Sequence, residues 1–245
     1  MEDLYSKRED KSTSYTLGIT LLLMAFLIIV AWALKRNAAG HGKPETPAAE
    51  VKPGKPAGEP SIPLGDDRQP LTEYEIITDC RLLEGIEGND GDSFGAITPR
   101  GSFRFRLYWV QTPQMNGASP EQVRTAMDHF GLKTEASLHE LAVDARDFTL
   151  NTLKAVHFRI VTRWERDSAE QVYLCFVYAS DGDAEKPLLH NLSLLLVQNG
   201  LALIRPSTRP LPEMDVSAGD FQNQLISAEE AARQSLLGGW ALRGR

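Results

Sequence analysis

The residues of this chain whose types could do chemistry are an Asp-Gly-Asp turn at Asp90–Asp92, Arg106, and the segment Gln111–Gln114 that follows. Carboxylate oxygens are the ligands that calcium prefers, and an arginine guanidinium suits a phosphate group. The same residues also have plainer interpretations, because Asp-Gly-Asp commonly shapes a turn and Arg106 could pair with a surface acid. The residue types alone leave both interpretations open.

A predicted β-hairpin positions these residues. Its arms are Phe94–Thr98 and Ser102–Val110, joined by a turn at Pro99–Gly101. Because strand side chains alternate between two faces, the second arm separates its apolar residues from its polar ones. The apolar face carries Phe103, Phe105, Leu107 and Trp109, and the other face carries Arg104, Arg106 and Tyr108. We therefore expect Trp109 in the core.

The other segments predict a small barrel with helices packed on it. A capping box at Ser137–Glu140 predicts the start of one helix, and Gly200 suits the end of another. The order is strands, helix, strands, helix, helix, which indicates an α+β fold: a five-stranded OB-type Greek-key β-barrel with about three packed helices. The apolar runs Tyr74–Ile77 and Leu82–Ile86 predict a first strand or a pair of strands. The other predicted elements are strands at Ala155–Trp164, Gln171–Ala179 and Leu201–Ile204, and helices at Leu138–Thr149, Leu188–Gln198 and Ala218–Leu237.

Five short motifs follow one another over about residues 72–241. They are Asp-Gly-Asp-Ser at 90–93, Phe-Arg-Leu at 105–107, Thr-Pro at 112–113, Leu-Val-x-x-Gly-Leu-Ala at 196–202, and Glu-Ala-Ala-Arg with Gly-Gly-Trp within 230–240. In this order they resemble the staphylococcal-nuclease (thermonuclease-like) family of calcium-dependent phosphodiesterases. The resemblance implies that the whole domain 71–245 has the OB-type barrel.

The resemblance also implies a calcium site, which this sequence matches in part. Asp92 matches the first metal-binding carboxylate, and Thr112 matches the residue whose backbone carbonyl binds the ion. The second metal-binding carboxylate falls on Gln111. Because an amide lacks the negative charge of a carboxylate, we expect Ca²⁺ binding to be weak or absent, although the glutamine retains a carbonyl oxygen.

The catalytic groups that the resemblance implies are likewise only partly kept. Arg106 matches the first phosphate-clamping arginine. The general-base glutamate falls on Gln114, and the second arginine falls on Val172 or Gln171. The arginines of the preceding loop that could substitute for it are Arg163 and Arg166.

These substitutions predict a nuclease relative with little or no activity, a pseudoenzyme. Loss of a general base typically costs about 10²- to 10⁴-fold in rate, and loss of one preorganised charge donor about 10²- to 10³-fold. We therefore expect a binding or interaction module. The alternatives are a Ca²⁺-dependent DNA or RNA endonuclease with an altered site, and a structural subunit of a membrane assembly.

The charge distribution bears on the partner. Residues 1–70 are balanced, with nine basic and nine acidic side chains, so the formal charge of −7 lies in residues 71–245. Nucleic-acid affinity depends largely on cations that meet phosphates. The acidic domain therefore favours a protein partner and disfavours nucleic acid, unless a local basic groove offsets the charge.

Residues 16–34 predict a single transmembrane helix after a short tail at 1–15. The alternative is a signal peptide, but no small-residue cleavage site clearly follows, and Ala38-Ala39-Gly40 is the nearest candidate. The span contains no charged residue and is about as long as a bilayer requires. Three basic residues precede it and three follow closely, so the positive-inside rule leaves the orientation open. We expect a bacterial inner-membrane protein with its domain in the periplasm, anchored through this helix.

Residues 35–70 predict a disordered linker. The segment carries seven prolines among Gly, Ala, Lys and Glu, and it has too little apolar surface to offset the entropy of ordering. A Pro-rich chain extends by about 3.1 Å per residue, so the linker reaches on the order of 100 Å.

Two further groups have plain interpretations. Cys80 and Cys175 are either two partly buried thiols or, in an oxidising compartment, a single disulfide. The acids of Glu165–Asp167 are expected to be solvated loop charges.

Overall fold

A computed structural model of the 245-residue chain describes residues 68–114, 117–155, 158–167, 172–180, 189–212 and 216–244. The predicted tail and membrane span, and almost all of the predicted linker, lie outside these ranges. Within the described ranges, none of the helices combines the length and apolar character that crossing a bilayer would require.

The core of the domain is a closed five-stranded β-barrel. Within the described residues the strands are β1 (Glu75–Leu82), β2 (Ser93–Thr98), β3 (Gly101–Leu107), β4 (Val110–Gln111), β5 (Phe158–Arg166), β6 (Tyr173–Ser180), β7 (Leu189–Asn191) and β8 (Leu203–Ile204). Strands β3, β2, β1, β5 and β6 are neighbours in that order, and β3 pairs with β6 in parallel to close the barrel. The other barrel pairs are antiparallel. This architecture is consistent with the predicted OB-type α+β fold.

The predicted hairpin is confirmed. Thr98 pairs with Gly101 at the turn, and the register continues to Ser93 opposite Arg106. The alternation places Phe103 and Phe105 in the barrel interior, where each is at most 1% exposed. They pack there with Phe94, Trp164 and Tyr173. The second arm is shorter than predicted and ends at Leu107, because Trp109 has a left-handed backbone with φ of 72°.

The part of the chain that the structure describes has four α-helices around the barrel, where the sequence predicted about three. They are α1 (Pro120–Phe130), α2 (Glu135–Ala155), α3 (Leu192–Gln198) and α4 (Ala218–Gln234), and a short 3₁₀ helix follows at Gly238–Leu242. Helix α1 is the one that the sequence prediction missed. Ser119 Oγ accepts a hydrogen bond from Gln122 N at 3.2 Å, while Gln122 Oε1 accepts one from Ser119 N at 2.7 Å. That reciprocal capping box with a proline in the first turn was the available signal.

Two predicted helix starts were wrong. Helix α2 begins at Glu135, because Thr134 Oγ1 accepts a hydrogen bond from Ser137 N at 3.2 Å and thereby caps the helix before the predicted box. Helix α3 begins at Leu192, where Asn191 Oδ1 accepts from Leu194 N at 3.1 Å. The residues before it extend the sheet as β7, which pairs with β6.

Two of the five motifs contact each other at the end of α3. Gly200 has a φ of 66°, as its place after the helix predicts, and its carbonyl accepts a hydrogen bond from Gly239 N at 2.9 Å. A Cβ on Gly200 would lie 2.3 Å from the carbonyl oxygen of Leu237. Glycine is required here because the two backbone segments touch. The contact anchors the C-terminal 3₁₀ helix against the end of α3.

Candidate functional site

The Asp-Gly-Asp turn is held against helix α2. Thr149 Oγ1 donates a hydrogen bond to the carbonyl of Gly91 at 2.6 Å, and both groups are buried. A Cβ on Gly91 would lie 2.8 Å from Ala145 Cβ and 2.8 Å from Thr112 Cγ2. This close approach requires glycine and brings the turn against the segment that contains Thr112. The structure therefore brings together two of the sequence segments that were predicted to form one site.

Asp92 lies in the interior beside Arg106. Its exposed fraction is 1%, and that of Arg106 is 5%. Arg106 Nε is 3.6 Å from Asp92 Oδ2 and donates a hydrogen bond to Ser93 Oγ at 3.1 Å. The Ser93 hydroxyl donates in turn to Asp92 Oδ1 at 3.2 Å. The metal-position carboxylate and the clamp-position arginine thus form an internal ion pair. The pairing of Arg106 with an acid was one predicted interpretation, but the acid is buried rather than on the surface.

Asp167 joins this cluster from the end of β5, which corrects a prediction. It was expected to be a solvated loop charge, but it is 7% exposed. Its Oδ2 accepts a hydrogen bond from Arg106 Nη1 at 3.5 Å and another from Arg205 Nη1 at 3.3 Å. Two guanidinium groups therefore share one buried carboxylate, which offsets the cost of burying the charges. We call Asp92, Arg106, Asp167 and Arg205 the ion cluster.

Glu165 was also expected to be solvated, and this prediction was wrong too. Tyr108 Oη donates a hydrogen bond to Glu165 Oε2 at 2.7 Å, and the Arg209 guanidinium contacts the other oxygen of the carboxylate. Burial, followed by the contacts with Glu165, raises the pKa of Tyr108 well above its ordinary value of 10.0.

Trp109 is 1% exposed and packs against Phe221, which confirms its predicted place in the core. Tyr108 is buried as well, so neither ring is available to stack on a base.

The resemblance puts the second arginine at Val172 or Gln171, and neither residue is basic. Val172 is 1% exposed and apolar, and Gln171 lies outside the described residues. Arg163 Nε donates to the carbonyl of Leu71 at 2.9 Å, and Arg166 Nη2 donates to Tyr173 Oη at 3.0 Å. The arginine that does reach the cluster is Arg205, just beyond β8, through the carboxylate of Asp167.

Gln111, Thr112 and Gln114 line a cavity of about 160 Å³ between β4 and helix α1. Gln111 pairs with Leu203 across β4 and β8, which fixes its backbone. Thr112 is 1% exposed, whereas Gln111 and Gln114 are partly exposed. Gln111 and Gln114 therefore border the same cavity, beside a helix that the sequence prediction did not contain.

The donor set does not fit calcium well. Calcium takes six to eight oxygen ligands, with carboxylates among them. Among the described residues, no three or more His, Cys, Asp or Glu side chains lie together as a metal-binding group. The buried carboxylate of Asp92 faces a guanidinium 3.6 Å away, and the neighbouring Gln111 supplies an amide. These groups fit an ion pair between side chains better than a metal-ion site.

Sequence reasoning missed two members of the ion cluster, Asp167 and Arg205. Each lies just after the end of a strand, in a run of polar residues that looks like an ordinary loop. The one available signal was that Arg205 follows directly after the predicted strand Leu201–Ile204.

The two thiols are free and buried, Cys80 at 7% and Cys175 at 0% exposure.

The chain matches no protein-family model and no curated protein sequence. Its resemblance to the staphylococcal-nuclease family therefore rests on the motifs and on the barrel architecture.

Proposed function

We propose that this chain is a membrane-tethered relative of the staphylococcal nucleases whose domain is catalytically impaired and serves as a binding or interaction module, with a protein as its partner. The closed five-stranded barrel is consistent with that family's OB-type fold. The five motifs occur in the family's order along the domain. The acidic balance of residues 71–245 favours a protein partner over nucleic acid.

The observation that carries this proposal is the position of Arg106. A phosphate clamp must present its guanidinium to the substrate. Arg106 is instead 5% exposed and lies against the carboxylates of Asp92 and Asp167, at 3.6 and 3.5 Å. To bind phosphate it would have to leave two buried acids, which would then lack their countercharge. In the same contact the carboxylate of Asp92 faces the guanidinium of Arg106 rather than a metal ion.

The glutamines strengthen the proposal. Gln111 and Gln114 replace a metal ligand and the general base of the related enzymes, and Val172 replaces the second clamp. An amide cannot accept the proton of an attacking water as a carboxylate does. The site thus lacks three groups that the chemistry requires, and Ca²⁺ binding is expected to be weak or absent.

A plasmid-nicking assay tests the proposal directly. The full-length chain is incubated with supercoiled DNA and Ca²⁺ beside Asp92→Ala. We expect equal, background-level nicking from both proteins. Robust cleavage that Asp92→Ala abolishes would show that the domain is an active nuclease.

The alternative function is a Ca²⁺-dependent endonuclease for DNA or RNA with an altered site. It is favoured by the close approach of the turn at Gly91 to Thr112, which brings two kept positions together. Calorimetric titration with Ca²⁺ separates the two functions. The interaction module predicts little or no heat, and the nuclease predicts a saturable isotherm that Asp92→Ala removes.

The anchoring is part of the proposal. The apolar stretch 16–34 would hold the chain in a bacterial inner membrane as a single-pass helix, and the Pro-rich linker would let the domain reach its partner from there. We place the domain in the periplasm. A reporter fused to the C-terminus tests this side of the membrane: activity of a reporter that works only in the periplasm supports it, and activity of a cytoplasm-specific reporter contradicts it.

A further inference from the structure

The end of the predicted linker places an arginine against aromatic rings of the barrel. Arg68 Cζ lies over the ring of Trp164, 5.4 Å from its centroid, and over the ring of Phe103 at 5.7 Å. We propose that these rings form a binding site for a guanidinium group, which Arg68 occupies in the free chain and which an arginine side chain of the protein partner takes when the partner binds. The inference rests on the proposed function, because it gives the chemistry by which the interaction module recognises its partner.

Three rings from three neighbouring or facing strands build this site. Phe103 on β3, Trp164 on β5 and Tyr173 on β6 have ring centroids 4.9 to 5.9 Å apart, and all three pairs meet edge to face. We call them the aromatic triad. The face of an aromatic ring carries negative partial charge and attracts a cation within about 6 Å of the centroid. The distances of Arg68 Cζ from two of the rings lie within that range.

A β-bulge aims Trp164 into the triad. The register of β5 with β6 shifts between Thr162 and Arg166, and Trp164 has a left-handed backbone with φ of 58°. Its backbone N donates a hydrogen bond to Thr162 Oγ1 at 3.0 Å, and its indole Nε1 donates one to Glu75 Oε2 at 2.8 Å. The ring is therefore held at both ends, and the carboxylate beside it favours a cation.

Arg68 itself is held by few contacts. Its backbone N donates a hydrogen bond to Tyr173 Oη at 2.9 Å. Among the described residues no carboxylate pairs with its guanidinium, and its buried Nε atom has no hydrogen-bond partner. Because a buried donor without an acceptor costs free energy, the ring faces are what retains the side chain. An arginine that a partner presents with its nitrogens hydrogen-bonded would bind there at lower cost.

The chain around Arg68 allows it to leave the triad. The next anchor is Leu71, whose N donates to the carbonyl of Arg163 at 2.7 Å and whose carbonyl accepts from Arg163 Nε at 2.9 Å. Gln69 and Pro70 between the two anchors are exposed. Release of Arg68 therefore breaks its hydrogen bond to Tyr173 and leaves the anchor at Leu71 and the strand pairs of the barrel in place.

The charge of the domain indicates a cationic partner. The formal charge of −7 lies in residues 71–245, so a basic surface on a protein is attracted to the domain. A guanidinium is planar and weakly hydrated and stacks on rings, whereas the ammonium of lysine is a compact, strongly hydrated charge. The side chain that already occupies the triad is a guanidinium as well. An arginine of the partner is therefore the ligand that fits best.

Two probes of nearly identical shape test the inference on the full-length chain in detergent. N-acetylarginine methylamide carries the guanidinium, and N-acetylcitrulline methylamide replaces it with a neutral urea. Arg68→Ala and Arg68→Gln each vacate the triad. Because Arg68 competes as an intramolecular ligand, we expect both variants to bind the arginine probe about tenfold more tightly than the parent chain does. The citrulline probe should bind these variants at least tenfold more weakly than the arginine probe.

Two measurements locate the binding. Calorimetry gives the affinities, and NMR follows the indole N–H resonances of the four tryptophans, of which Trp164 alone belongs to the triad. The arginine probe should shift the Trp164 resonance most. Arg81→Ala removes the same charge from an exposed position on β1 and is the matched control, so it should bind the probe like the parent chain.

Four results would each overturn the inference: no saturable binding of the arginine probe to the Arg68 variants at millimolar concentrations, equal binding of the citrulline probe, an equal gain in Arg81→Ala, or an unmoved Trp164 resonance. Where one Arg68 variant fails to fold, the other decides. The nicking assay on the same samples separates this failure from that of the proposed function. Asp92-dependent cleavage overturns the interaction module, whereas background cleavage without probe binding overturns the guanidinium site alone.

Discussion

Arg106 Nε lies 3.6 Å from Asp92 Oδ2, and both side chains are buried under the end of β3. Each residue matches a functional position of the staphylococcal nucleases, one that binds substrate and one that binds metal. In this chain they neutralise each other, with Asp167 and Arg205 completing the cluster. The charges of the cluster are thus paired within the fold, and removing one of them would leave its partners with less countercharge.

The stability of the barrel should therefore depend on Asp167. Asp167→Asn keeps the size of the side chain but leaves Arg106 buried with less countercharge. Breaking one partner of a buried pair typically costs about 3–5 kcal/mol, and we expect a loss near 3 kcal/mol because Asn keeps one oxygen acceptor. Urea denaturation measures this loss in the free energy of unfolding as a lower transition midpoint.

The matched control for Asp167→Asn is Asp147→Asn. Asp147 pairs with Arg146 at 2.8 Å on the surface, with half of its own side chain exposed, at 52%. Exposed pairs are worth about 0–1 kcal/mol. Equal losses from the two variants would contradict the structural role of the ion cluster.

Introducing the two carboxylates that the resemblance implies tests the proposed impairment of the site. Gln111→Asp combined with Gln114→Glu adds the negative charge that calcium requires, so calorimetry should show tighter Ca²⁺ binding than in the parent chain. Nuclease activity should stay at background, because Arg106 is still paired with Asp92 and the resemblance puts the apolar Val172 at the position of the second arginine. Asp92-dependent DNA cleavage by this variant would show that the glutamines alone silence the enzyme.

The control for that variant carries the same charge change elsewhere. Gln224→Asp with Gln234→Glu places two new carboxylates on exposed positions of α4. It should leave Ca²⁺ binding as weak as in the parent chain. A similar gain in both variants would mean that added charge, rather than the site, attracts the ion.

The barrel could be predicted from the sequence because its local patterns agree with its packing. The alternation of Phe103 and Phe105 specifies which face of β3 is buried, and the tight turn before it fixes the register with β2. Helix α1 was missed although two of its signals are legible in the sequence. One is the capping box at Ser119–Gln122, and the other is the helical spacing of Val123, Ala126, Met127 and Phe130.

The ion cluster could not be predicted, for a different reason. Asp167 is 61 residues from Arg106 and 38 from Arg205 along the chain. No periodicity relates side chains at such separations. Whether a loop acid is solvated or buried depends on which cations the folded chain brings to it. Here that depends on long-range strand pairings, of β3 with β6 and of β4 with β8. The resemblance predicted that Arg106 belongs to the site, but it could not predict that Arg106 pairs with the buried carboxylates of Asp92 and Asp167.

The fit of the Asp-Gly-Asp turn against α2 predicts an effect of substitution at Gly91. Gly91→Ala would put a methyl group 2.8 Å from Ala145 Cβ and from Thr112 Cγ2, so the turn or the helix must move. Overpacking of this kind costs typically about 1–3 kcal/mol. Thermal unfolding should show a lower midpoint.

Gly219→Ala is the matched control for Gly91→Ala. Gly219 lies in the first turn of α4, and the nearest atom to its added Cβ would be 3.9 Å away. Alanine there restricts the unfolded chain and should be neutral or stabilising by up to about 1 kcal/mol. If both substitutions cost the same, the close contact at Gly91 would not be the cause.

Burial of the Cys80 thiol should slow its reaction with thiol reagents in the folded chain. Burial is the main cause that raises the pKa of Cys80 from its ordinary value of 9.0 to about 11, and burial raises the pKa of Cys175 as well. Because the thiolate is the reactive form, labelling of Cys80 at pH 8 should be on the order of 100-fold slower in the folded chain than in the unfolded chain. A colourimetric thiol reagent, with and without denaturant, measures this ratio. Comparable rates in the two states would mean that Cys80 is not buried as described.

The same shift determines the sign of the alkaline effect on stability. The folded chain holds the Cys80 proton more tightly than the unfolded chain does, so the stabilising contribution is complete below pH 9 and is lost as the pH rises through about 11. The raised pKa values of Cys175 and Tyr108 act in the same direction. The free energy of unfolding should therefore fall between pH 9 and 11, and it should fall less steeply in Cys80→Ala, which has no proton to lose at this position. An equally steep fall in that variant would assign the alkaline transition to the other buried groups.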